Sequence, residues 1–321
     1  MLSPLYPDID RKIDELMNEL SADSIGRQPP VPKSLYHYTD ASGILAILKS
    51  SRLWATHAGY LNDRLEIDHA ASLVEAVLRD RKRTSTSTAL TNFLAKALTD
   101  FNLYDYEHSY YAAYVVSFCE ASDLLSQWRG YGATGGGLAL GLKPDTSDNP
   151  TFSPDQHFIM LKKVEYDQVS QSNLIAETID RIIALFEASI LTVNAADIDR
   201  VVLRFTHFLQ QQLAVYLITF KDPAFEQEQE WRLVSLVDFK FPHFQEHVTF
   251  RAANNLLIPY YELNVAPLLA DKNGKLAIND IVIGPTLEAG LTTQSLAMAL
   301  LKYRYDLPNI DVRESIVPLR F

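Results

Sequence analysis

Apolar positions recur along this chain at two spacings, and the change from one to the other marks its elements. Ile9, Ile13, Leu16, Met17 and Leu20 fall three and four apart, which predicts an amphipathic helix over 9–20. Gly26 to Pro32, with Pro29-Pro30 inside it, cannot continue a helix. Residues 1–33 therefore read as an N-terminal helical appendage and linker, and residues 34–321 as one domain. A strand is expected at Leu35–Thr39, a helix over 41–50 and a second strand at Leu53–Thr56. Helices over Leu65–Arg83 and 89–101 follow, separated by the polar run Thr84–Thr88. The β-favouring run Tyr110–Phe118 predicts a central strand, and a short helix through Trp128 comes after it.

Further strands are expected at Leu138–Leu142 and 157–166, then two helices over roughly 171–191 and 197–218. Strands near 246–250, 256–263, 279–284 and 309–314, with a helix over 288–303, complete the chain. Short strands mixed with helices of unequal length, without a repeat or a regular βαβ period, point to an α+β fold.

One segment breaks the apolar patterning. In Phe225-Glu226-Gln227-Glu228-Gln229-Glu230-Trp231-Arg232, three alternate glutamates lead into the apolar run Leu233–Val237. Read as a strand, the segment places Glu226, Glu228 and Glu230 on one face with Arg232 next in line. Such a row is either a solvated edge or a site.

Composition narrows the classes. Of 321 residues, 47% are hydrophobic and 21% charged, so a folded globular protein is expected throughout. A net charge of -11 argues against general electrostatic coating of nucleic acid. The dense basic cluster Arg79-Asp80-Arg81-Lys82-Arg83 ends a predicted helix, where cations meet the dipole favourably. The single cysteine, Cys119, excludes an intrachain disulfide and a multi-cysteine zinc site and fits a reducing, cytoplasmic compartment. No apolar run reaches the ~20 residues of a membrane span, and no membrane partner is expected.

Three polar-aromatic segments carry candidate chemistry. In Leu35-Tyr36-His37-Tyr38-Thr39-Asp40, alternation sets His37 and Thr39 on one face and Tyr36 and Tyr38 on the other, with Asp40 or Thr39 capping the helix beyond. Tyr60-Leu61-Asn62-Asp63-Arg64-Leu65-Glu66 contains a capping box that needs no function. Ser117-Phe118-Cys119-Glu120, with Gln127-Trp128-Arg129-Gly130-Tyr131-Gly132, sets a hydroxyl at a strand end beside two aromatics and an arginine, a set suited to a planar ring and a phosphate. Gly135-Gly136-Gly137 lacks the context of a phosphate loop, and no HExxH, histidine cluster or GxSxG elbow is present. No metal is predicted. A Cys119 nucleophile paired with His37 is conceivable by residue type, but a cysteine at an apolar strand end is ordinarily inert packing.

Taken in order, Leu35–Thr39, Leu61-Asn62-Asp63 with Glu66, Ser117–Cys119, Gln127-Trp128 with Tyr131-Gly132, and Phe220-Lys221 leading to Glu228–Arg232 resemble the uncharacterised bacterial domain of unknown function 2971. Ile283-Gly284-Pro285 and Ser315–Arg320 fit the same family, so the resemblance spans about 34–320. More distantly, the order of a His-x-Thr strand, a polar-aromatic middle segment and a late Glu-x-Glu strand resembles the ADP-ribosyltransferase superfamily. That resemblance implies a split mixed β-sheet flanked by helices, with NAD held as substrate. It implies His37, Ser117 and Glu230 as the site, with Glu228 on the acceptor side. Glu230 would stabilise positive charge on the ribose, as in other oxocarbenium-like reactions. His37 and Thr39 would hold a ribose, Tyr60 or Tyr131 would stack on nicotinamide, Trp128 and Ser117 would complete the cofactor wall, and Arg232 would hold the row.

Two functions of different class stay open on these residues. One is an NAD-consuming ADP-ribosyltransferase or NAD hydrolase whose acceptor macromolecule the residues do not name. The other is a non-catalytic nucleotide-sensing or partner-binding domain in which Glu228, Glu230 and Arg232 form a buried ion network. Nucleic-acid processing through a divalent metal would need acidic residues from separate segments, such as Asp63 or Glu66, and the acidic surface disfavours it.

Overall fold

The computed structural model describes residues 6–61, 64–100, 111–131, 137–147, 149–153, 158–238, 247–253, 255–285 and 288–318. Among these residues, eleven strands form one open, mixed sheet flanked by helices. In chain order they are β1 (Leu35–Thr39), β2 (Leu53–His57), β3 (Tyr111–Cys119), β4 (Leu138–Leu142), β5 (Thr151–Phe152), β6 (Phe158–Lys163), β7 (Glu230–Asp238), β8 (Val248–Ala253), β9 (Leu256–Leu263), β10 (Ile278–Ile283) and β11 (Asp311–Glu314). The helices are α1 (Pro7–Gly26), α2 (Ala41–Ser50), α3 (Arg64–Thr84), α4 (Thr88–Asp100), α5 (Leu125–Tyr131), α6 (Gln168–Ile190), α7 (Ile198–Leu217), α8 (Ala266–Leu269) and α9 (Ala289–Lys302).

Strand β3 organises the sheet. Along one edge it pairs with β7 over its full length, from Tyr111 opposite Asp238 to Cys119 opposite Glu230. The other edge is shared. β2 occupies it at Tyr114 and Val115, and β1 meets it only at Cys119. Between these contacts, among the described residues, Val116 to Phe118 has no strand on that side, so β1 with β4, β10 and β11 diverges from β2 with β9 and β8. This fork is the opening on which the site is built. Among the described residues, only β10 and β11 form a parallel pair of strands.

Alternation along β3 explains the two layers. Ala112, Tyr114, Val116 and Phe118 enter a core shared with Ile44, Leu48, Leu268 and Leu300 of α2, α8 and α9. Ala113 and Val115 face the opposite way, against Ile67 and Ile218. Behind that second face, α1, α3, α4, α6 and α7 pack around Phe93, Phe186 and Phe205, whose rings lie within 6.2 Å centroid to centroid. The stripe Ile9, Ile13, Leu16 and Leu20 is buried in this helical core. Ion pairs from Arg181 to Asp23 and Glu19, and from Arg204 to Asp10, fasten α1 further.

The cluster at the end of α3 is laced into ion pairs, Arg79 with Glu75, Arg81 with Asp180 and Arg83 with Asp80. Among the described residues no helix is long and apolar enough to cross a membrane.

The glutamate row departs from its expected form. Pro223–Glu228 is a 3-10 helix, and β7 begins only at Glu230. Asp222 caps the turn by accepting from the Ala224 amide at 2.9 Å, and Pro223, with its fixed φ and no N–H to give a ladder, suits the first helical position. Gln229 then closes the turn with φ +43°, a left-handed conformation costly for a residue with a side chain. Glu226 and Glu228 therefore do not share a strand face with Glu230.

Candidate functional site

A cleft of about 590 Å³ opens at the fork, on the face of β3 that carries Ser117 and Cys119. Its volume suits a nucleotide-sized ligand. β1 contributes Tyr36 and Tyr38, β2 Thr56, β7 Glu230 and Arg232, and α5 Ser126 and Gln127. Lys221, Phe225 and Glu228, from the turn between α7 and β7, close the floor, while Tyr60 and Arg251 stand at the side of β2 and β8.

Four charges compose that floor. Arg232 grips Glu230 side-on, Nε to Oε1 at 2.8 Å and Nη2 to Oε2 at 2.9 Å, and its Nη1 donates to the Ile218 carbonyl at 2.8 Å. Lys221 Nζ lies 2.7 Å from Glu228 Oε2 and 3.1 Å from Glu230 Oε2. Ser117 lies close enough to the Glu230 carboxylate to help lower its pKa. Glu230 is only 4% exposed. Burial alone would raise its pKa, but Arg232 and Lys221 outweigh that cost and hold it at about 2. Both of its oxygens are engaged, by two bonds from Arg232 and one from Lys221. Glu228 is different: it is half-buried, lines the cleft, and among the described residues makes one ion pair, through Oε2 to Lys221.

The Cys119 thiol lies beside this network. Burial, followed by the charges of Glu230 and Glu228, pushes its pKa far above the ordinary thiol range, so it stays protonated and is a poor nucleophile.

His37 does not line the cleft. Its Nδ1 is 3.0 Å from the Ser117 carbonyl, and because a carbonyl only accepts, this nitrogen carries the proton. The ring thereby satisfies a backbone oxygen in the stretch of β3 that, among the described residues, no strand covers on that edge. Burial lowers the His37 pKa and favours the neutral ring. Thr39 also lies outside the lining. Beside it, a Cβ on Gly43 would meet Thr39 Oγ1 at 2.0 Å. β1 instead turns Tyr36 and Tyr38 into the cleft, and the phase was readable, since Leu35, in step with His37 and Thr39, is fully buried in the core.

Trp128 is fully buried behind the wall rather than on it. Its Nε1 donates to Asp123 Oδ1 at 2.6 Å and its ring meets Tyr38 edge-on at 4.7 Å. Tyr38 in turn donates to the Ala121 carbonyl and accepts from the Leu124 amide, fixing the loop that leads into α5. Asp123 also accepts from Ser315 Oγ and the Ile316 amide, so the C-terminal segment braces the same wall. The side chain of Tyr131 and those of Asn62, Asp63 and Glu66 lie outside the described residues, as do Gly132, Gly135, Gly136 and Arg320.

Ser117, Tyr60, Glu228, Glu230 and Arg232 thus converge on one cleft, with His37 attached behind Ser117. Lys221, part of the Phe220-Lys221 motif but given no role from sequence, joins them, as do Ser126 and Arg251. The Ser126 hydroxyl, at the cleft wall, has no hydrogen-bond partner among the described residues. Among the described residues no group of three or more His, Cys, Asp or Glu side chains is placed to hold a metal ion.

The family described as "Protein of unknown function (DUF2971)" matches residues 127–233, a span that includes the wall of α5 and the whole charged floor but not β1, β2 or β3. That match supports the uncharacterised domain family. No curated protein and no solved structure matches the chain.

Proposed function

We propose that the fork cleft binds NAD and cleaves its nicotinamide glycosidic bond, passing ADP-ribose to water or to an acceptor. The observation that carries this reading is the joining of Ser117, Glu230, Lys221 and Glu228 in one contact network on the floor of a nucleotide-sized cleft, with His37 bonded to the Ser117 carbonyl. These residues come from β1, β3, the turn after α7, and β7.

Leaving of nicotinamide builds positive charge on the ribose, and a carboxylate fixed beforehand in a water-poor site lowers the cost of that charge. Glu230 and Glu228 divide the work. Glu230, ionised and engaged at both oxygens, anchors Lys221 beside Ser117, while Glu228, with acceptor capacity left, faces the ribose. Tyr60, more than a third exposed and set edge-on to His57 at 5.6 Å, offers a ring face to nicotinamide or adenine. Purified protein is expected to release nicotinamide from NAD, and Glu228→Gln to lower that rate by about 10²–10³. Absence of both NAD binding and nicotinamide release in folded protein would refute the reading.

The engagement of both Glu230 oxygens favours a second reading, a nucleotide-sensing domain without turnover, in which the charge network is purely architectural. It predicts NAD binding without nicotinamide release.

A further inference from the structure

We infer that Arg251, seated against Thr56, is a phosphate subsite, so that the ligand of the cleft is a phosphorylated nucleoside. This rests on the proposed reading only for what lies beyond the phosphate; the subsite itself follows from the charges of the cleft.

Of the three cations lining the cleft among the described residues, two are spent. Lys221 is bound to Glu228 and Glu230, and Arg232 to Glu230 and the Ile218 carbonyl. Two carboxylates and two cations cancel on the floor. Arg251 is the third, and among the described residues no carboxylate pairs with it; its one hydrogen bond is from Nη2 to Thr56 Oγ1 at 3.1 Å. Asp40 senses its charge, but that carboxylate is occupied by the Gly43 amide and the Ser42 hydroxyl, both at 2.7 Å. Among the described lining residues cations therefore outnumber carboxylates by one, with Asp40, outside the lining, offsetting part of the Arg251 charge, in a chain whose net charge is -11. An acidic protein repels anions at long range and needs such a local cation to hold one.

Register, not a flexible loop, places the guanidinium. Thr56 of β2 and Thr249 of β8 both pair with Tyr260 of β9, and Arg251 lies two residues beyond Thr249, on the same face. With one Nη2 hydrogen held by Thr56, one of the two parallel N–H pairs of the guanidinium, Nε with Nη2 or Nη1 with Nη2, remains as a fork suited to two phosphate oxygens. Lysine at this position would supply charge without that fork.

The test is calorimetric titration of the full chain with ADP and with adenosine, for the native protein and Arg251→Gln. Arg251 is exposed, and circular dichroism establishes that the variant is folded. Native protein is expected to bind ADP, and Arg251→Gln to weaken it roughly 10- to 100-fold while leaving adenosine unchanged. Three results would overturn the inference: no ADP binding by native protein, equal ADP affinity in the variant, or equal weakening for ADP and adenosine, which marks a brace between β8 and β2. Arg251-dependent ADP binding without nicotinamide release would remove the cleavage reading and keep the subsite. Nicotinamide release with ADP affinity indifferent to Arg251 would do the reverse.

Discussion

Arg232 and Glu230, two residues apart on one strand, form a bidentate ion pair inside the protein, with both side chains 5% exposed or less. Neighbours at this spacing share a face of the sheet, so the pair is set by the strand itself, and Lys221 is brought to it from the preceding turn.

Such a pair is costly to break and cheap to replace. Arg232→Met leaves Glu230 with Lys221 as its remaining cation and is expected to destabilise by about 3–5 kcal/mol in urea denaturation. The double variant Glu230→Met with Arg232→Met should cost less than the sum of the two single changes. Strict additivity would show that the two side chains act independently.

Acid should expose the same network. Glu230 titrates at about 2 when folded against an ordinary 4.5, so the folded state binds fewer protons than the unfolded state between those values. Its stabilising contribution is complete above about pH 4.5 and fades as pH falls towards 2, by an amount on the order of 3 kcal/mol. Glu230→Gln should lose this part of the acid transition, and an unchanged profile in that variant would contradict the assignment.

Lys162 should act in the opposite sense. It lies buried beneath the end of α1, hydrogen-bonded to Ser24, and burial, reinforced by Arg27, lowers its pKa from 10.5 to about 8. Below pH 8 both states hold the proton and the folded protein bears the cost of a buried ammonium. Between 8 and 10.5 the folded state releases it first, so stability rises with pH. Lys162→Met is expected to raise stability at pH 7 by about 1–3 kcal/mol and to flatten that rise. A destabilised variant would show that the Ser24 contact outweighs desolvation.

The local signals in this chain were legible and the non-local ones were not. Apolar spacing located the long helices and most strands to within a few residues, because each element buries its own stripe. The fork was not legible, since it depends on β1 and β2 sharing one edge of β3 across some eighty residues of chain, as His37 and Ser117 do. The alternating glutamates read as a strand because alternation was weighed above Asp222-Pro223, whose cap and fixed φ start a turn. Arg251 carries no motif at all; only the register of β8 on β9 brings it to Thr56.

The wall of the cleft can be tested at a glycine. A Cβ on Gly284 would lie 2.8 Å from Trp128 Cε3 and 2.9 Å from the Gly137 carbonyl, and neither a fully buried indole nor backbone yields readily. Gly284→Ala is expected to cost about 1–3 kcal/mol in thermal or urea denaturation and to weaken ADP binding by displacing α5. Wild-type stability and affinity together would show that Trp128 does not position this wall.

The central claim is that Glu228, on a floor held by Glu230 and Lys221, meets the ribose of NAD during loss of nicotinamide. Quantifying nicotinamide released from NAD by native protein and by Glu228→Gln, each verified as folded, tests it most directly. The expected result is release by the native protein, a rate lower by about 10²–10³ in the variant, and NAD affinity within a few-fold of native. Equal rates in the two proteins, or NAD bound by the native protein without any nicotinamide released, would contradict it.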